Sequence, residues 1–143
     1  MDDESQGGAA APSSRAPAPL VLSVEDDPDT LDLLGQIFTD EGYRVHLCLD
    51  EGSARQVLGN FDVNLLVVDA RLRGSDGTAL LQWLENRGGR LPAVIMLTGM
   101  PDAVAAAHGP LLTRLGALLE PKPFDVDHLL EVANRLTGWP GPA

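Results

Sequence analysis

The sequence predicts an α/β fold built on a parallel sheet with helices on both faces. Five short apolar segments alternate with segments of helical periodicity, which is typical of consecutive right-handed βαβ units. One apolar segment, residues 65–68, is aliphatic at every position, as expected for a strand buried on both faces. Acidic or hydroxyl-bearing residues follow several of these segments, where the strands of such a sheet reach solvent. We therefore expect a doubly wound five-stranded sheet with strand order 2-1-3-4-5.

The first two strand and helix units are marked by N-cap residues. Residues 20–24 form an apolar strand, and Asp27, which precedes a proline, is the expected cap of the first helix. Gly42 is expected to end that helix. Apolar and polar residues then alternate over residues 45–49, which indicates a second strand, and Asp50 can cap a second helix.

The other three units follow the same pattern. Asp76 is the expected cap of the third helix. Gly109 and Pro110 are expected to end a short Ala-rich fourth helix, because proline inside a helix lacks a donor and clashes with the preceding turn. The third strand is expected at residues 65–69, and its helix begins at residue 77. The fourth strand is expected at residues 92–97, and its helix covers about residues 101–108. The fifth strand is expected at residues 115–119, and its helix begins at residue 126.

Length and composition predict one folded domain, residues 20–137, in a chain of 143 residues. Residues 1–19 are rich in Gly, Ala, Ser and Pro and are expected to form a disordered tail. Residues 138–143 form a second tail, rich in Pro and Gly. Trp139 in that tail either folds back onto the domain or anchors a partner, and the sequence favours neither alternative.

Charge and cysteine content exclude several classes of function. Acidic residues outnumber basic ones by 21 to 10, which gives a net charge of −11, so direct binding to the phosphate backbone of nucleic acids is not expected. The sequence contains no apolar run that could span a membrane, and a signal peptide is not expected at its acidic start. Cys48 is the only cysteine, so no internal disulfide forms, and a cytoplasmic location is expected.

Polar residues that follow the strands predict a metal site. Glu25 and Asp26 follow the first strand, Asp69 ends the third, Thr98 follows the fourth, and Lys122 follows the fifth. In a sheet of this order the first and third strands are neighbours, so three carboxylates meet at one edge. Such a group requires a cation, and a ligand set of oxygens alone favours Mg²⁺. Lys122 is the only lysine and adds a compact positive charge.

These residues and their spacing resemble the receiver domain of bacterial response regulators, whose fold is flavodoxin-like. The resemblance runs from about residue 20 to residue 136. It depends on four groups of residues that occur in the family's order: Glu25-Asp26; Asp69 with Leu72, Gly74, Asp76 and Gly77; Leu97-Thr98-Gly99; and Lys122-Pro123-Phe124.

The resemblance implies a role for each site residue. Asp69 is the expected phosphoacceptor, and Thr98 and Lys122 are expected to bind phosphoryl oxygens. Arg71 and Met100 occupy positions that tune the lifetime of the phosphoryl group in this family. The implied Mg²⁺ ligands are the carboxylates of Glu25, Asp26 and Asp69 and the backbone carbonyl of Arg71. The implied partners are a sensor histidine kinase or a histidine phosphotransfer protein, a downstream protein, and a second copy of this chain in a homodimer.

Some positions depart from the family pattern. Arg73 stands where a proline is usual, and Pro121 directly precedes Lys122. Leu119 stands where most receivers have a Tyr or Phe that swings inward to report phosphorylation. Acceptor chemistry is expected to persist, whereas signal readout through an aromatic side chain is not.

Three interpretations remain. The preferred one is a single-domain receiver that is phosphorylated on Asp69 and passes its state to a partner or relays the phosphate. The second is a pseudo-receiver that binds partners without phosphorylation, which the leucine at position 119 favours. The third is an enzyme on a related sheet. A haloacid dehalogenase-type phosphatase would need an aspartate where Arg71 stands, and the three acids at 25–27 would repel the phosphate of a flavin.

Overall fold

A computed structural model describes residues 17–142, and its main sheet has the predicted strand order. The five parallel strands are ordered β2-β1-β3-β6-β7, which is 2-1-3-4-5 when the strands of this sheet are counted along the chain. This confirms the doubly wound architecture. The strands are β1 (Leu20–Val24), β2 (Arg44–Cys48), β3 (Leu65–Asp69), β4 (Arg71–Leu72), β5 (Ser75–Asp76), β6 (Ala93–Thr98) and β7 (Leu118–Pro121). The helices are α1 (Pro28–Asp40), α2 (Glu51–Asn60), α3 (Gly77–Arg87), α4 (Pro101–Leu115) and α5 (Val126–Thr137).

Strand β3 separates two hydrophobic cores. All five of its residues are buried, and successive side chains point to opposite faces of the sheet. Leu66 and Val68 pack with residues of α2, α3 and α4, whereas Leu65 and Val67 pack with residues of α1 and α5. The aliphatic run that predicts a doubly buried strand therefore serves both helix layers.

The predicted N-caps are present. The carboxylates of Asp27, Asp50 and Asp76 accept hydrogen bonds from the backbone N–H three residues ahead, at the starts of α1, α2 and α3. Asp125 caps α5 in the same way. Helix α4 begins without a side-chain cap, after Met100. Local residue type thus sets four of the five helix starts.

Helix α4 differs from the prediction. It continues past Gly109 and Pro110 to Leu115, with a kink at His108, where φ is −131° and ψ is 15°. Pro110 falls in the first turn after this kink, where a helix tolerates proline. Leu111 and Leu112 are then buried in the core, and their burial keeps the second half of the helix in place. The fifth strand of the sheet, β7, consequently begins at residue 118 rather than 115.

Two short strands after β3 were not predicted. β4 and β5 form an antiparallel hairpin in which Arg71 pairs with Asp76 and Leu72 pairs with Ser75. Gly74 lies in its turn with φ of +75°. Strands of two residues carry no periodicity, so the sequence shows them only as a loop. The hairpin joins the end of β3 to the start of α3.

Trp139 folds back onto the domain, so the structure selects one of the two alternatives for the C-terminal segment. Its indole Nε1 donates a hydrogen bond to the carbonyl of Glu41 at 2.9 Å. Its ring lies 6.2 Å from that of Tyr43, whose hydroxyl donates to Asn134 Oδ1 at 2.6 Å. Gly42, with φ of +100°, lies beneath the indole. The segment expected to be a tail therefore contributes packing to the domain.

Residues 1–16 of the predicted N-terminal tail, and Ala143, lie outside the described residues. Among residues 17–142 no helix is long and apolar enough to cross a membrane.

We expect Trp139→Ala to lower the free energy of unfolding by about 2 kcal/mol, because the side chain is half-buried and loses both its packing and its hydrogen bond. Trp139→Phe should cost about 1 kcal/mol, since it keeps most of the packing. Urea unfolding followed by circular dichroism measures both. Equal stability of the alanine variant and the wild type would contradict this packing role.

The cap of α2 should give a pH-dependent contribution to stability. The Ser53 backbone N–H, which donates to the Asp50 carboxylate, holds the pKa of Asp50 below its usual value. Because this pKa is lowered in the folded state, the contribution is complete above the unfolded-state pKa and is lost as the pH falls through the folded-state pKa.

We therefore expect Asp50→Ala to be less stable than the wild type at neutral pH, with a difference that narrows as the pH falls below the usual pKa of aspartate. Urea unfolding at a series of pH values measures this. Asp50→Asn is the control, because asparagine also caps helices but does not titrate. A difference between wild type and Asp50→Ala that stays constant with pH would refute the assignment.

Candidate functional site

Three carboxylates meet at the carboxyl edge of the sheet. Glu25 and Asp26 follow β1, and Asp69 is the last residue of β3. Val24 is in register with Val68 in these neighbouring strands, so the residues that follow come to the same edge. One oxygen of each carboxylate lies within 4.8 Å of the others. Glu25 and Asp69 are buried, whereas Asp26 is half-buried. The structure thus brings together the three acids that the sequence singles out.

Lys122 reaches this acidic cluster from the loop after β7. Its Nζ donates hydrogen bonds to Glu25 Oε1 at 2.7 Å and to Asp69 Oδ2 at 2.6 Å. Its backbone N–H donates to the carbonyl of Thr98 at 2.8 Å, and the Lys122–Pro123 peptide bond is cis. The single lysine of the chain therefore bridges the ends of β1 and β3.

Burial and charge act in opposite directions in this cluster. Burial raises the pKa of Glu25, and the hydrogen bond from Lys122 only partly offsets that effect. Burial also acts to lower the pKa of Lys122, but the hydrogen bonds to Asp69 and Glu25 outweigh it, so the pKa of Lys122 is raised. Lys122 therefore remains charged at neutral pH. Three carboxylates still face one ammonium, and this excess of negative charge suits a divalent cation.

Two backbone positions fix the orientation of Asp69. The N–H of Arg71 donates to Asp69 Oδ1 at 2.9 Å, so both carboxylate oxygens of Asp69 accept a hydrogen bond. Gly77 is the first residue of α3, and a Cβ atom there would overlap the backbone carbonyl oxygen of Asp69. The sequence marks Gly77 only as part of a motif. Its close approach to Asp69 joins residues that are eight positions apart, and no local pattern reveals it.

Thr98 lies beside Asp69 at the end of β6. Leu97 is in register with Asp69, so Thr98 follows at the carboxyl edge. Thr98 is buried, and its Oγ1 accepts a hydrogen bond from the N–H of Met100 at 2.9 Å. Asp69, Thr98 and Lys122 line the same cavity, which is also lined by Met100 and Arg71. The predicted site residues at or just beyond the carboxyl ends of β3, β6 and β7 therefore line one cavity.

Leu119 lies apart from the site. It is half-buried on β7 in register with Met96, and it packs against the core formed with α2, α3 and α4. It does not line the cavity that contains Asp69. Four further lining residues, which the sequence does not indicate, come from α4: Ala103, Val104, Ala107 and His108.

Comparisons with known proteins identify the family of this chain. The family model of the response regulator receiver domain matches residues 21–134. The transcriptional regulatory protein GlrR of Escherichia coli (strain K12) is 33% identical over 132 residues, which cover 91% of this chain and 28% of GlrR. The aerobic respiration control protein ArcA of the same strain is 35% identical over 86 residues, 60% of this chain and 35% of ArcA.

Solved structures show the same fold. The signal receiver domain of an HD domain-containing protein from Pseudomonas fluorescens Pf-5 matches with a TM-score of 0.76 and 25% identity, over 88% of this chain and 91% of that one. The Francisella response regulator 1452 receiver domain matches with a TM-score of 0.75 and 22% identity, over 84% and 97% of the two chains. At that identity, the second match supports the fold alone.

The chain spans only about a third of the length of these curated relatives. The family model covers nearly all of the described sheet and helices. This chain therefore belongs to the family of response regulator receiver domains of two-component systems.

Proposed function

We propose that Asp69 accepts a phosphoryl group from a histidine of a sensor kinase or phosphotransfer protein, and that the phosphorylated state acts on a downstream protein or relays the phosphate. Receiver domains as a family interact with histidine kinases and effectors. The observation that carries the proposal for this chain is the Asp69 carboxylate, which is held by Lys122 beside Glu25 and Asp26.

The contacts of Asp69 suit a nucleophile. Phosphoryl transfer passes through a loose, roughly in-line transition state, so positioning and fixed charges supply most of the catalysis. The Arg71 N–H and the Lys122 ammonium each hold one carboxylate oxygen and so limit rotation of the group. One of these oxygens forms the new bond to phosphorus, and the histidine nitrogen of the donor leaves.

Thr98 and Lys122 would bind the transferred group. Thr98 Oγ1 accepts a hydrogen bond from Met100, so the hydroxyl hydrogen remains for donation to a phosphoryl oxygen. The ammonium of Lys122 has three donors and uses two of them on Glu25 and Asp69. A phosphoryl group adds about −1.5 to −2 charges and draws both side chains toward itself, which is the proposed switch.

The acidic cluster fits Mg²⁺ through its oxygen-only ligands. Receiver domains generally bind this ion at an acidic pocket. In this chain the carboxylates of Glu25, Asp26 and Asp69 and the backbone carbonyl of Arg71 would hold it. When bound, the ion neutralises charge on the carboxylates and on the phosphoryl oxygens.

The lifetime and readout of the phosphorylated state depend on residues at the cavity rim and behind it. Arg71 and Met100 are both exposed and line the cavity that contains Asp69, so they lie where water approaches a phosphorylated carboxylate. We propose that they set the rate of hydrolysis. Leu119 packs into the core and stands where most receivers have an aromatic residue that reports phosphorylation. This residue favours the second candidate, a binding module that acts without phosphorylation.

Phosphorylation is tested directly with acetyl phosphate. We expect the wild type to gain the mass of one phosphoryl group in the presence of Mg²⁺, and Asp69→Asn to gain none, because the amide is not a nucleophile. Asp62→Asn is the matched control, since Asp62 lies near the opposite edge of the sheet, just before β3. Intact-protein mass spectrometry measures all three. A chelator should abolish the adduct, and an unmodified wild type would favour the binding module.

The fit of Gly77 against Asp69 gives a second test. We expect Gly77→Ala to lose both stability and phosphorylation, because the added Cβ displaces the backbone of Asp69. Gly59→Ala in α2 is the control, since a Cβ there meets no atom within 4 Å. It should gain about 0.5–1 kcal/mol in the free energy of unfolding and keep its phosphorylation rate. Urea unfolding measures the stability of each variant, and intact-protein mass spectrometry measures its phosphorylation. Normal phosphorylation of Gly77→Ala would contradict the positioning role of Gly77.

A further inference from the structure

A cavity of about 540 Å³ opens beside Asp69 and extends away from the phosphoacceptor along α4. Its size is that of a small-ligand site. One end holds the charged and polar groups of the proposed acceptor centre, Asp69, Thr98 and Lys122. The wall beyond them is mostly apolar and is formed by Met100, Ala103, Val104 and Ala107. The cavity is therefore larger than a phosphoryl group requires.

The first half of α4 leaves this space open. The buried residues of α4, Leu111 and Leu112, both lie after the kink at His108. The second half is also tied to α3, because Arg114 donates two hydrogen bonds to the carboxylate of Glu85, at 2.7 and 3.0 Å. The first half presents alanines and a valine to the cavity, and their short side chains do not fill it.

The far end of the cavity offers few polar groups to a ligand. Asp76 already accepts hydrogen bonds from Thr78 Oγ1 at 2.5 Å and from the Ala79 N–H at 2.8 Å. Of the other polar side chains that line the cavity, Thr78 is engaged with Asp76, and Arg71 and His108 complete the set. A ligand that suits the whole cavity thus has a phosphoryl group at one end and a short apolar group at the other.

We propose that the apolar wall binds the acyl chain of a small phosphodonor, so that this protein takes acyl phosphates longer than acetyl phosphate, such as butyryl phosphate, in preference to acetyl phosphate itself. The inference rests on the proposed function of Asp69. In the reaction, an Asp69 carboxylate oxygen forms a bond to phosphorus. The bond from phosphorus to the acyl oxygen breaks, and its electron pair leaves with the carboxylate, so neither a proton nor a redox partner is required.

The expected preference follows from the buried apolar area. Complete burial of one methylene group improves binding by about fourfold. Butyryl phosphate has two methylenes more than acetyl phosphate, and the cavity is open to solvent on one side, so we expect about a fivefold higher second-order rate constant. Acetic and butyric acids have nearly equal acidity, so the leaving groups are chemically matched.

The test compares three donors on the full chain with Mg²⁺: acetyl phosphate, butyryl phosphate and phosphoramidate, which has no apolar group. Intact-protein mass spectrometry gives each rate at donor concentrations below saturation. Ala103→Leu and Ala107→Leu fill the cavity from α4, whereas Ala105→Leu adds the same group on the same helix outside the cavity lining. Rates with phosphoramidate should be the same in all four proteins, which shows that the acceptor centre is intact.

We expect butyryl phosphate to react about fivefold faster than acetyl phosphate with the wild type and with Ala105→Leu. With Ala103→Leu and Ala107→Leu, which fill the cavity, we expect less than about a twofold difference between the two donors. Equal rates with both acyl phosphates in the wild type would overturn this inference and leave the proposed function standing. A preference that survives in both filled variants would show that the acyl chain binds elsewhere. No adduct from any donor, phosphoramidate included, would overturn the proposed function and this inference with it.

Discussion

The bridge from Lys122 to Glu25 and Asp69 is the interaction on which the site depends. Glu25 is 1% exposed and Asp69 is 7% exposed, and a buried carboxylate without a partner costs several kcal/mol, on the order of its effective desolvation penalty. An ammonium within 2.7 Å of both groups allows β3 to end in an aspartate and β1 to be followed by a glutamate. Strand order makes this possible, because β7 is separated from β3 only by β6, and Lys122, which follows β7, reaches across the same edge to carboxylates that lie more than fifty residues earlier in the chain.

The loop after Asp69 is held on two sides. The β4–β5 hairpin closes it on itself, and Ser75 donates a hydrogen bond to Glu51 at the start of α2. Gly77 lets α3 begin directly against the backbone of Asp69. A carboxylate held in this way keeps its direction when a partner approaches, which is the kind of positioning that phosphoryl transfer requires.

Helix α4 divides the surface near the site into a fixed part and an open part. Its second half is anchored by two buried leucines and by the ion pair with α3, whereas its first half lines the cavity with small side chains. The kink at His108 separates the two. The proposed selectivity for acyl chains follows from this division, because the proposed acceptor centre would contact only the phosphoryl group of a donor.

The sequence by itself determined the strand order of the sheet, the N-caps of α1, α2 and α3 and the composition of the candidate site. Strand burial, N-caps and acids after strands are local signals, and the strand order then brings Glu25, Asp26, Asp69, Thr98 and Lys122 to one edge. Only the tertiary structure decided that α4 continues past Pro110, that Trp139 packs on Tyr43, that Gly77 touches Asp69 and that a cavity remains under α4. These features depend on contacts between residues of different helices, strands and loops. The burial of those residues outweighs local helix and strand propensity, and the contacts produce no periodic pattern in the sequence.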